Sequence, residues 1–425
     1  MLTREQNDLL TRTGPGTPGG QLLRKFWQPA ALVEELPAGG APVPIRLLGE
    51  DLVMFRDETG QVGLLGIHCS HRGADLSYGR LEDGGLRCIY HGWLYDVHGT
   101  CLEQPGEPTG STFYQKIQHP AYPCAERGGI IFGYLGGGTP PELPNYEFLL
   151  APAERRSATK GYHECNYLQA NEGNIDPVHL SFLHRIFRGE EAGAPSRAAA
   201  QSYFGVDTSP ALEIETTDFG VRIFTARHIS ADLVYLRISN FIFPNLSAFP
   251  GGNRGGGYGV NWHVPIDDEH HWKFAINFSR TDQGVDLFQR DPNEMGADYH
   301  LVREKSNRYL QDREQQRTRS YLGIGSYFMA HDKLAVEGPG PIQDREAEHL
   351  GTTDKVIVAA RLELLKAIQD VQQGRDPMHL VRTPEQNAFP FLGAYEQVIP
   401  ASMDWRKDWR EVFPQSQRAQ AEVVA

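Results

Sequence analysis

The 425-residue sequence has no apolar run long enough to cross a bilayer. Its longest apolar runs, such as the one at 129–135, are far shorter than the about 20 apolar residues that a membrane-spanning helix needs. The first residues are polar and charged and contain no signal-peptide core, so we expect a cytoplasmic protein without a membrane partner. Basic residues form no cluster and the net charge is −13, which argues against nucleic acid as a partner.

Cysteine is also scarce, with five residues in the whole chain. An odd number of cysteines in a large chain without a secretory segment argues against a framework of disulfide bonds. The thiols are therefore expected to be reduced and free to bind metal. They are Cys69, Cys88, Cys101, Cys124 and Cys165.

The sequence pattern changes along the chain. Short strand-like segments separated by turns fill 43–135 and predict a small all-β unit. A Gly- and Pro-rich segment at 136–148 predicts a linker, and β-rich sequence at 211–279 is followed by a helical pattern at 354–374. We therefore predict an α+β fold, in which a larger unit has an antiparallel sheet flanked by helices. The predicted divisions are an N-terminal helical arm at 1–28, the small β domain at 29–145, and the larger domain with a C-terminal helix and extension at 146–425.

Two short motifs in the β domain each combine a cysteine with a histidine, as Cys69-x-His71 and Cys88-x2-His91. Ordinary core or loop residues are not expected to repeat this pairing in two glycine-containing loops. A zinc site usually takes its ligands from CxxC and HxxxH halves, and mixed halves are unlike that layout. In a Rieske-type 2Fe–2S cluster, two cysteines hold one iron and two histidines hold the other. Mixed halves favour this cluster because each loop then supplies one ligand to each iron.

The stretch "CSHRGA…CIYHGW" resembles the Rieske signature of the Rieske non-haem iron ring-hydroxylating oxygenases. Longer stretches across nearly the whole chain, such as "NEGNIDPVHLSFLH" and "GPIQDREAEHLGTTD", resemble the α subunits of the phthalate dioxygenase-like branch. The resemblance implies that Cys69, His71, Cys88 and His91 bind the 2Fe–2S cluster. It also implies that the small β domain is the Rieske domain and that the larger one is a catalytic domain with mononuclear non-haem iron.

A second motif, Asp176-x2-His179-x4-His184, offers an electron acceptor for such a cluster. Two histidines and one carboxylate form the ligand triad of non-haem Fe(II) oxygenases and leave positions open for dioxygen. Asp176 and His179 are three residues apart and can share a helix face. His179 and His184 are five apart, about 140° around a helix, so the helix must deform or end between them if both bind one metal.

The aspartate of this motif is not a ligand in the family that the sequence resembles. The resemblance implies that Asp176 forms an electron bridge between His179 and His91 of a neighbouring subunit. The sequence departs from the family pattern at Glu172, where many members have asparagine.

The carboxylate that completes the triad must lie far downstream. Asp332 is favoured because "MAHDKLAVEGPGPI" resembles the family segment that carries this ligand. Asp354 ranks second, because it begins a predicted helix and a role as the helix N-cap explains it more simply. Asp344 is the third candidate, and it could pair with an arginine instead.

The resemblance implies the oxygenase component of a multicomponent enzyme that uses O2. Its cofactors would be the Rieske 2Fe–2S cluster and mononuclear Fe(II), and NADH would act indirectly through a separate flavin and iron–sulfur reductase. The implied reaction is hydroxylation, as cis-dihydroxylation, of an aromatic carboxylate such as a phthalate isomer, a phenoxybenzoate or a chlorobenzoate. The implied assembly is a homotrimer or stacked trimers. The alternatives are an aryl ether O-demethylase that acts by monooxygenation and a Rieske electron carrier without oxygenase activity.

An aromatic carboxylate needs two kinds of partner, an arginine fork for its charge and apolar walls for its ring. The candidate arginines, each of which alone fits a surface salt bridge better, are Arg185, Arg188, Arg222, Arg227 and Arg237. The candidate apolar residues are Phe182, Phe241 and Phe243, each of which could equally belong to the core.

Overall fold

The computed structural model describes residues 1–187, 203–251, 256–281 and 291–413. The chain begins with an arm of two helices, α1 (Arg4–Thr11) and α2 (Pro18–Arg24). The Thr3 hydroxyl accepts the Gln6 N–H at 3.2 Å, and the Gln6 side chain accepts the Thr3 N–H at 3.0 Å. This capping box satisfies two backbone donors and explains why α1 begins here.

The N-terminal β domain consists of short strands in three antiparallel sheets. These strands are β1 (Gln28–Leu32), β2 (Val43–Leu47), β3 (Glu50–Arg56), β4 (Val62–Gly66), β5 (Arg80–Glu82), β6 (Gly85–Arg87), β7 (Leu94–Tyr95), β8 (Cys101–Glu103), β9 (Ala121–Tyr122), β10 (Cys124–Arg127) and β11 (Ile130–Gly133). The sheet orders are β1-β11-β10, β2-β3-β4-β9 and β5-β6-β7-β8. One cysteine–histidine motif follows β4 and the other lies between β6 and β7, so each sits in a loop at the end of a different sheet.

The larger part of the chain is built on one antiparallel sheet. Its strands are β12 (Arg156–His163), β13 (Ala211–Thr216), β14 (Gly220–His228), β15 (Leu233–Ile242), β16 (Leu246–Phe249), β17 (Gly259–Pro265), β18 (His271–Phe278) and β19 (Tyr395–Pro400). The order is β12-β18-β17-β16-β15-β14-β13. Because β16 is short and pairs only with the end of β15, the rest of that edge is free to pair with β19.

Helices cover this sheet. In the described ranges they are α3 (Glu147–Leu150), α4 (Tyr167–Ile175), α5 (Arg313–Thr318), α6 (Phe328–Glu337), α7 (Lys355–Gln372) and α8 (Trp405–Val412). Helix α4 contacts β17, α6 and α7, and α7 also contacts α1 and α2. The N-terminal arm therefore packs against the larger part of the chain through the long helix α7.

The two faces of the sheet have different neighbours, and strand β12 shows this at adjacent positions. The Lys160 ammonium lies 2.6 Å from the Glu35 carboxylate of the β domain and 4.2 Å from the Trp272 ring centroid. Thr159 points to the opposite side, into a cavity below α4 and α6. One face of the sheet therefore packs against the β domain, and the other is available for a site.

The predicted fold class, a small all-β domain with a larger antiparallel sheet flanked by helices, is confirmed. The predicted apolar walls are wrong: Phe241 and Phe243 are 0% and 2% exposed in the hydrophobic core, and the exposed Phe182 does not line the cavity. No helix within the described ranges has both the length and the apolarity that crossing a bilayer requires.

Candidate functional site

The two cysteine–histidine loops of the β domain have the same backbone shape. The Gly73 N–H donates to the Cys69 carbonyl at 2.8 Å, and the Gly92 N–H donates to the Cys88 carbonyl at 3.0 Å. Both glycines have positive φ, 73° and 75°, a conformation that side chains disfavour. Each loop therefore turns tightly around its cysteine and carries the histidine at the turn.

The loops place thiols inside and imidazoles outside. Cys69 and Cys88 are 3% and 2% exposed. The ring centroids of His71 and His91 are 4.4 Å apart, and the Trp93 ring stacks on His71 at 4.5 Å. Two buried sulfurs and two neighbouring imidazoles at one tip fit a Rieske cluster, which needs two thiolate and two imidazole ligands.

The electrostatics of the thiols agree with this fit. Burial raises the pKa of the Cys88 thiol, and the neighbouring Cys69 raises it further. Two thiolates side by side therefore need positive charge between them, which iron supplies. Burial and the contact with Cys69 also raise the pKa of Tyr95 above its usual range, so its protonated hydroxyl lies 3.2 Å from the Cys69 sulfur as a donor.

The second predicted motif does not lie on one helix. Helix α4 ends at Ile175, and Asp176 is extended (φ −73°, ψ 121°) because it precedes Pro177, which disfavours helical backbone at the preceding residue. His179 begins a separate 3-10 turn at His179–Ser181. The prediction that Asp176 and His179 share a helix face is therefore wrong. Because the helix ends before His179, the chain can turn so that His184 lies close to His179.

The structure brings together His179, His184 and Asp332. The Asp332 Oδ1 atom lies 3.1 Å from His184 Nε2 and 4.0 Å from His179 Nε2. Asp176 approaches from the other side, with Oδ2 3.7 Å from His179 Nδ1. Asp332 comes from α6, so the site lies where the break after α4 faces α6.

Burial and charge set the protonation of these groups. Burial alone would raise the pKa of Asp332, but Lys273 and the two histidines outweigh it and hold this pKa far below the usual range. Burial lowers the pKa of His184 to about 4, so its imidazole is neutral at pH 7. Burial also acts to lower the pKa of His179, but the carboxylate of Asp176 outweighs it and raises this pKa.

Sequence reasoning missed His331, which orients His184. The His331 Nε2 atom lies 3.0 Å from the Gly325 carbonyl, so it carries the proton and donates. Burial lowers the pKa of His331, so its Nδ1 is an unprotonated acceptor, 3.2 Å from His184 Nδ1. His184 must then be protonated at Nδ1 and present the lone pair of Nε2 to Asp332.

This tautomer makes the site a fit for a cation. His184 Nε2 is buried without a hydrogen-bond partner and faces the Asp332 carboxylate oxygen, so two acceptors face each other. The possible ligand atoms of His179, His184 and Asp332 lie within 4.8 Å of one another, the one such group in the described ranges. Two imidazoles and one carboxylate are the donor set of mononuclear non-haem iron, and a cation bound by both atoms would compensate the two facing acceptors.

The other two candidate carboxylates lie outside this group. Asp354 accepts the Gly351 N–H at 2.6 Å at the start of α7. Asp344 accepts the Glu346 N–H at 3.0 Å and, among the described residues, forms no ion pair with an arginine. Both carboxylates therefore have local backbone roles.

Glu172, where the sequence departs from the family pattern, has a structural role. Its buried carboxylate lies 2.8 Å from Arg345 and 2.6 Å from Arg361. Burial acts to raise the pKa of Glu172, but the two guanidinium groups outweigh it and lower this pKa. Glu172 therefore stays ionised and joins α4 to α7.

A cavity adjoins the triad on the free face of the sheet. Its floor is polar, and its side walls are aromatic. The floor residues are Thr159, Arg237, Ser239, Asn261, Lys273 and Asn277, the aromatic residues are Phe204, Phe249 and Phe328, and the triad contributes His179 and Asp332.

The structure separates the candidate arginines. Arg237 lines the cavity and is 8% exposed. Arg222 pairs with Glu215 at 2.6 Å, and neither Arg222 nor Arg185 lines the cavity.

Arg227 lies behind the segment that carries His179. It is 0% exposed and donates to the Pro177 carbonyl at 2.7 Å. Burial and the nearby Arg237 lower its pKa to about 10. The fifth candidate, Arg188, lies outside the described residues.

Family models match both parts of the chain. A model of the Rieske 2Fe–2S domain matches residues 26–122. A model described as "LigXa C-terminal domain like" matches residues 134–422, more than half of the chain.

Several characterised relatives match nearly end to end. The chain is 34% identical to the phthalate 4,5-dioxygenase oxygenase subunit of Pseudomonas putida, over 96% of this chain and 94% of the relative. It is 32% identical to the 3-chlorobenzoate-3,4-dioxygenase oxygenase subunit of Comamonas testosteroni, over 96% and 98%. It is 31% identical to the 5,5'-dehydrodivanillate O-demethylase oxygenase subunit of a Sphingobium species, over 95% and 89%.

Solved structures share the fold. The oxygenase–ferredoxin complex of carbazole 1,9a-dioxygenase includes a chain that matches with a TM-score of 0.56 at 20% identity, over 85% of this chain and 93% of that one. The matches cover both candidate metal sites, and the cofactors of the family are a Rieske 2Fe–2S cluster and mononuclear iron. The chain therefore belongs to the Rieske non-haem iron oxygenases, as an oxygenase subunit and an enzyme.

Proposed function

We propose that this oxygenase hydroxylates an aromatic carboxylate by cis-dihydroxylation. The substrate class comprises phthalate isomers, phenoxybenzoates and chlorobenzoates. The observation that carries the proposal is the buried guanidinium of Arg237. It lies on the floor of the same cavity that His179 and Asp332 line. The names of two relatives, a phthalate and a chlorobenzoate dioxygenase, support the same class.

Arg237 has spare capacity for an anion. Its guanidinium donates to the Pro250 carbonyl at 3.0 Å and forms no ion pair with a carboxylate of the described residues. The carboxylate of Glu396, opposite Arg237 on β19, accepts the Tyr235 hydroxyl at 2.5 Å instead. A buried cation without a partner anion is costly, and a substrate carboxylate would supply that partner.

The aromatic side chains suit the ring of such a substrate. Phe204 lies 5.5 Å below the Arg237 guanidinium, and Phe328 stacks on the His184 ring at 3.6 Å. The apolar wall therefore extends from the cation to the triad, and a ring held by its carboxylate would be directed toward the triad. The amides and hydroxyls of the floor could bind further polar substituents.

Each proposed metal site has its own role. The proposed ligands are Cys69, His71, Cys88 and His91 for the cluster and His179, His184 and Asp332 for the mononuclear iron. When bound, the cluster supplies one-electron transfer and the mononuclear iron supplies dioxygen chemistry. Asp176, next to His179, is proposed to bridge electrons from His91 of a second copy.

The proposed assembly and partners follow from this route. A homotrimer or stacked trimers would bring one copy's Rieske tip to another copy's Asp176. A separate flavin and iron–sulfur reductase would supply electrons from NADH, in line with the solved complex of a fold neighbour with its ferredoxin. The proposed divisions remain the arm at 1–28, the Rieske domain at 29–145 and the catalytic domain at 146–425.

Aryl ether O-demethylation is the second candidate. It is favoured by the 5,5'-dehydrodivanillate O-demethylase among the relatives. The same metals serve both reactions, so product analysis must separate them. Purified oxygenase with a reductase, NADH and O2 should convert an aromatic acid of the proposed class to a diol, and formaldehyde from a methoxylated acid would instead support demethylation.

Iron content tests the enzyme against an electron carrier. We expect about three irons per chain for one cluster and one mononuclear site, and a carrier would hold about two. Failure to convert any aromatic acid would contradict the proposed substrate class.

The Arg237→Gln variant tests the carboxylate site directly. We expect the KM for the acid to rise roughly 30-fold, equivalent to about 2 kcal/mol, because a buried charge pair is lost. The KM for the matching carboxamide, measured in the same assay, should change little.

A matched control separates charge recognition from general damage. Arg222→Gln removes a buried arginine on the neighbouring strand β14, which pairs with Glu215 and does not line the cavity. Its KM for the acid should stay near the wild-type value. An equal rise for acid and carboxamide in Arg237→Gln would contradict the role of Arg237.

A further inference from the structure

Lys273 is a buried cation whose position the proposed reaction does not explain. It is 3% exposed and lies on β18 at the cavity floor. Its ammonium lies 3.4 Å from Asp332 Oδ2 and forms no other hydrogen bond within the described residues. Lysine is seldom fully buried without a partner, so this contact accounts for its place.

The two oxygens of Asp332 face different groups. Oδ1 faces the imidazoles, 3.1 Å from His184 Nε2 and 4.0 Å from His179 Nε2. Oδ2 faces Lys273. The carboxylate is therefore divided, with one oxygen toward the metal-binding nitrogens and the other toward the ammonium.

We propose that Lys273 is a positioning residue that restricts Asp332 to binding the mononuclear iron through one oxygen. This inference rests on the proposed iron site. A carboxylate can bind a metal through one or both oxygens, and binding through both would use a coordination position that this class of site leaves open. By holding Oδ2, Lys273 keeps that position available for dioxygen or substrate.

A purely structural lysine would not require this arrangement. Lys160, on the adjacent strand β12, is also buried and pairs with Glu35 at 2.6 Å on the opposite face of the sheet. That pair joins the β domain to the sheet and touches no proposed ligand. Lys160 therefore provides a matched control for losing a buried ammonium from the same sheet.

The test is the geometry of the metal-loaded holoenzyme. Anaerobic crystals with Fe(II), together with near-infrared magnetic circular dichroism, report the number of Asp332 oxygens on the metal and the coordination number. We expect one oxygen in the wild type and in Lys273→Arg, which keeps the cation. In Lys273→Met we expect two oxygens and a loss of one open position, with a fall of about 10-fold in product formed per O2 consumed.

The controls keep the outcomes distinct. Lys160→Met should keep the wild-type coordination, and a two-oxygen Asp332 in that variant would overturn the inference. Metal binding through both oxygens of Asp332 in the wild type would by itself overturn the inference. Metal binding through one oxygen in Lys273→Met would overturn it as well. A lower affinity for the acid in Lys273→Met with unchanged coordination would instead place Lys273 in substrate binding. Metal absent from His179, His184 and Asp332 in the wild type would overturn the proposed site itself, a result distinct from a metal bound there in the wrong mode.

Discussion

At the scale of single residues, each proposed iron ligand contacts a second polar group. Asp332 contacts Lys273, and His184 contacts His331. His179 faces the carboxylate of Asp176. Such outer contacts determine which atom of each ligand points at a metal, so they determine whether the site is ready to bind one.

The His331→Leu variant tests the contact that orients His184. Without the Nδ1 acceptor, His184 can carry its proton on Nε2, which then cannot bind metal. We expect Fe(II) affinity at the mononuclear site to fall by about 10- to 100-fold. The visible spectrum of the Rieske cluster, recorded on the same sample, should be unchanged.

Two further variants interpret that result. His331→Asn retains a carbonyl acceptor and should recover much of the affinity. His163→Leu removes another buried histidine that lies outside both proposed metal sites and should leave Fe(II) affinity unchanged. Equal affinity losses in His331→Leu and His163→Leu would argue for general destabilisation instead.

The sequence predicts the proposed ligands better than the residues that contact them. The ligand candidates can be proposed from spacing and resemblance because Cys69, His71 and the His179–His184 pair belong to short motifs. Lys273 reaches Asp332 across 59 residues, and no local pattern marks that contact. His331 is adjacent to Asp332 in "AHDK", so its position was a signal, but its direction depends on the Gly325 carbonyl.

At the scale of secondary-structure elements, α4 is joined to α7 by a buried ion network. Glu172 on α4 binds Arg345 and Arg361, and Arg361 also binds Glu348 at 2.6 Å. Arg345 in turn donates to Asn7 of the N-terminal arm at 3.0 Å. This network fixes the helix that precedes the proposed ligand His179, so it supports the proposed site from outside.

The Glu172→Gln variant tests this network through stability. Removing the carboxylate leaves two buried guanidinium groups short of negative charge, and we expect a loss of about 3–5 kcal/mol in the free energy of unfolding. Chemical denaturation at pH 7 measures it. Glu314→Gln, which breaks an exposed pair with Arg317, should cost less than about 1 kcal/mol.

The pH dependence of the same comparison has a definite sign. The pKa of Glu172 is lowered in the folded protein, where the arginines outweigh burial. Its contribution is therefore complete above the unfolded pKa of about 4.3 and is lost as the pH falls through the folded pKa. The stability difference between wild type and Glu172→Gln should shrink below about pH 4, and a difference that grows there would contradict the ionised assignment.

Element boundaries show where sequence reasoning succeeds and where it stops. The cap at Thr3 and the long helix α7 were predictable, because capping and helical periodicity are local. The break at Asp176 was also signalled locally by Pro177, although spacing alone favoured a shared helix face. The polar floor of the cavity was not predictable, because it is assembled from several strands whose pairing is long-range.

At the scale of the whole molecule, the proposed electron route leaves one chain and enters another. His91 lies at the Rieske tip beside Ile89 and Tyr90, which are 60% and 56% exposed. Asp176, the proposed entry point, is partly exposed and also faces a second cavity on the far side of the triad. Exposed apolar side chains around an electron exit suit docking against a second copy.

Mixed oligomers test that route without relying on a partly active variant. In Asp332→Asn the cluster is intact but the proposed mononuclear ligand set is broken, and in His91→Ala the cluster is broken but the mononuclear set is intact. Each variant alone should be inactive. Co-expressed with two different affinity tags, they should form mixed trimers in which about a third of the chains are active, because either mixed composition places one intact mononuclear site beside a neighbour with an intact cluster. Product formation after tandem affinity purification measures this, with separately purified variants mixed afterwards as the control.

Mixed oligomers that are isolated with iron bound but form no product would show that electrons do not cross between copies, since a route within one chain can never be complete in either variant.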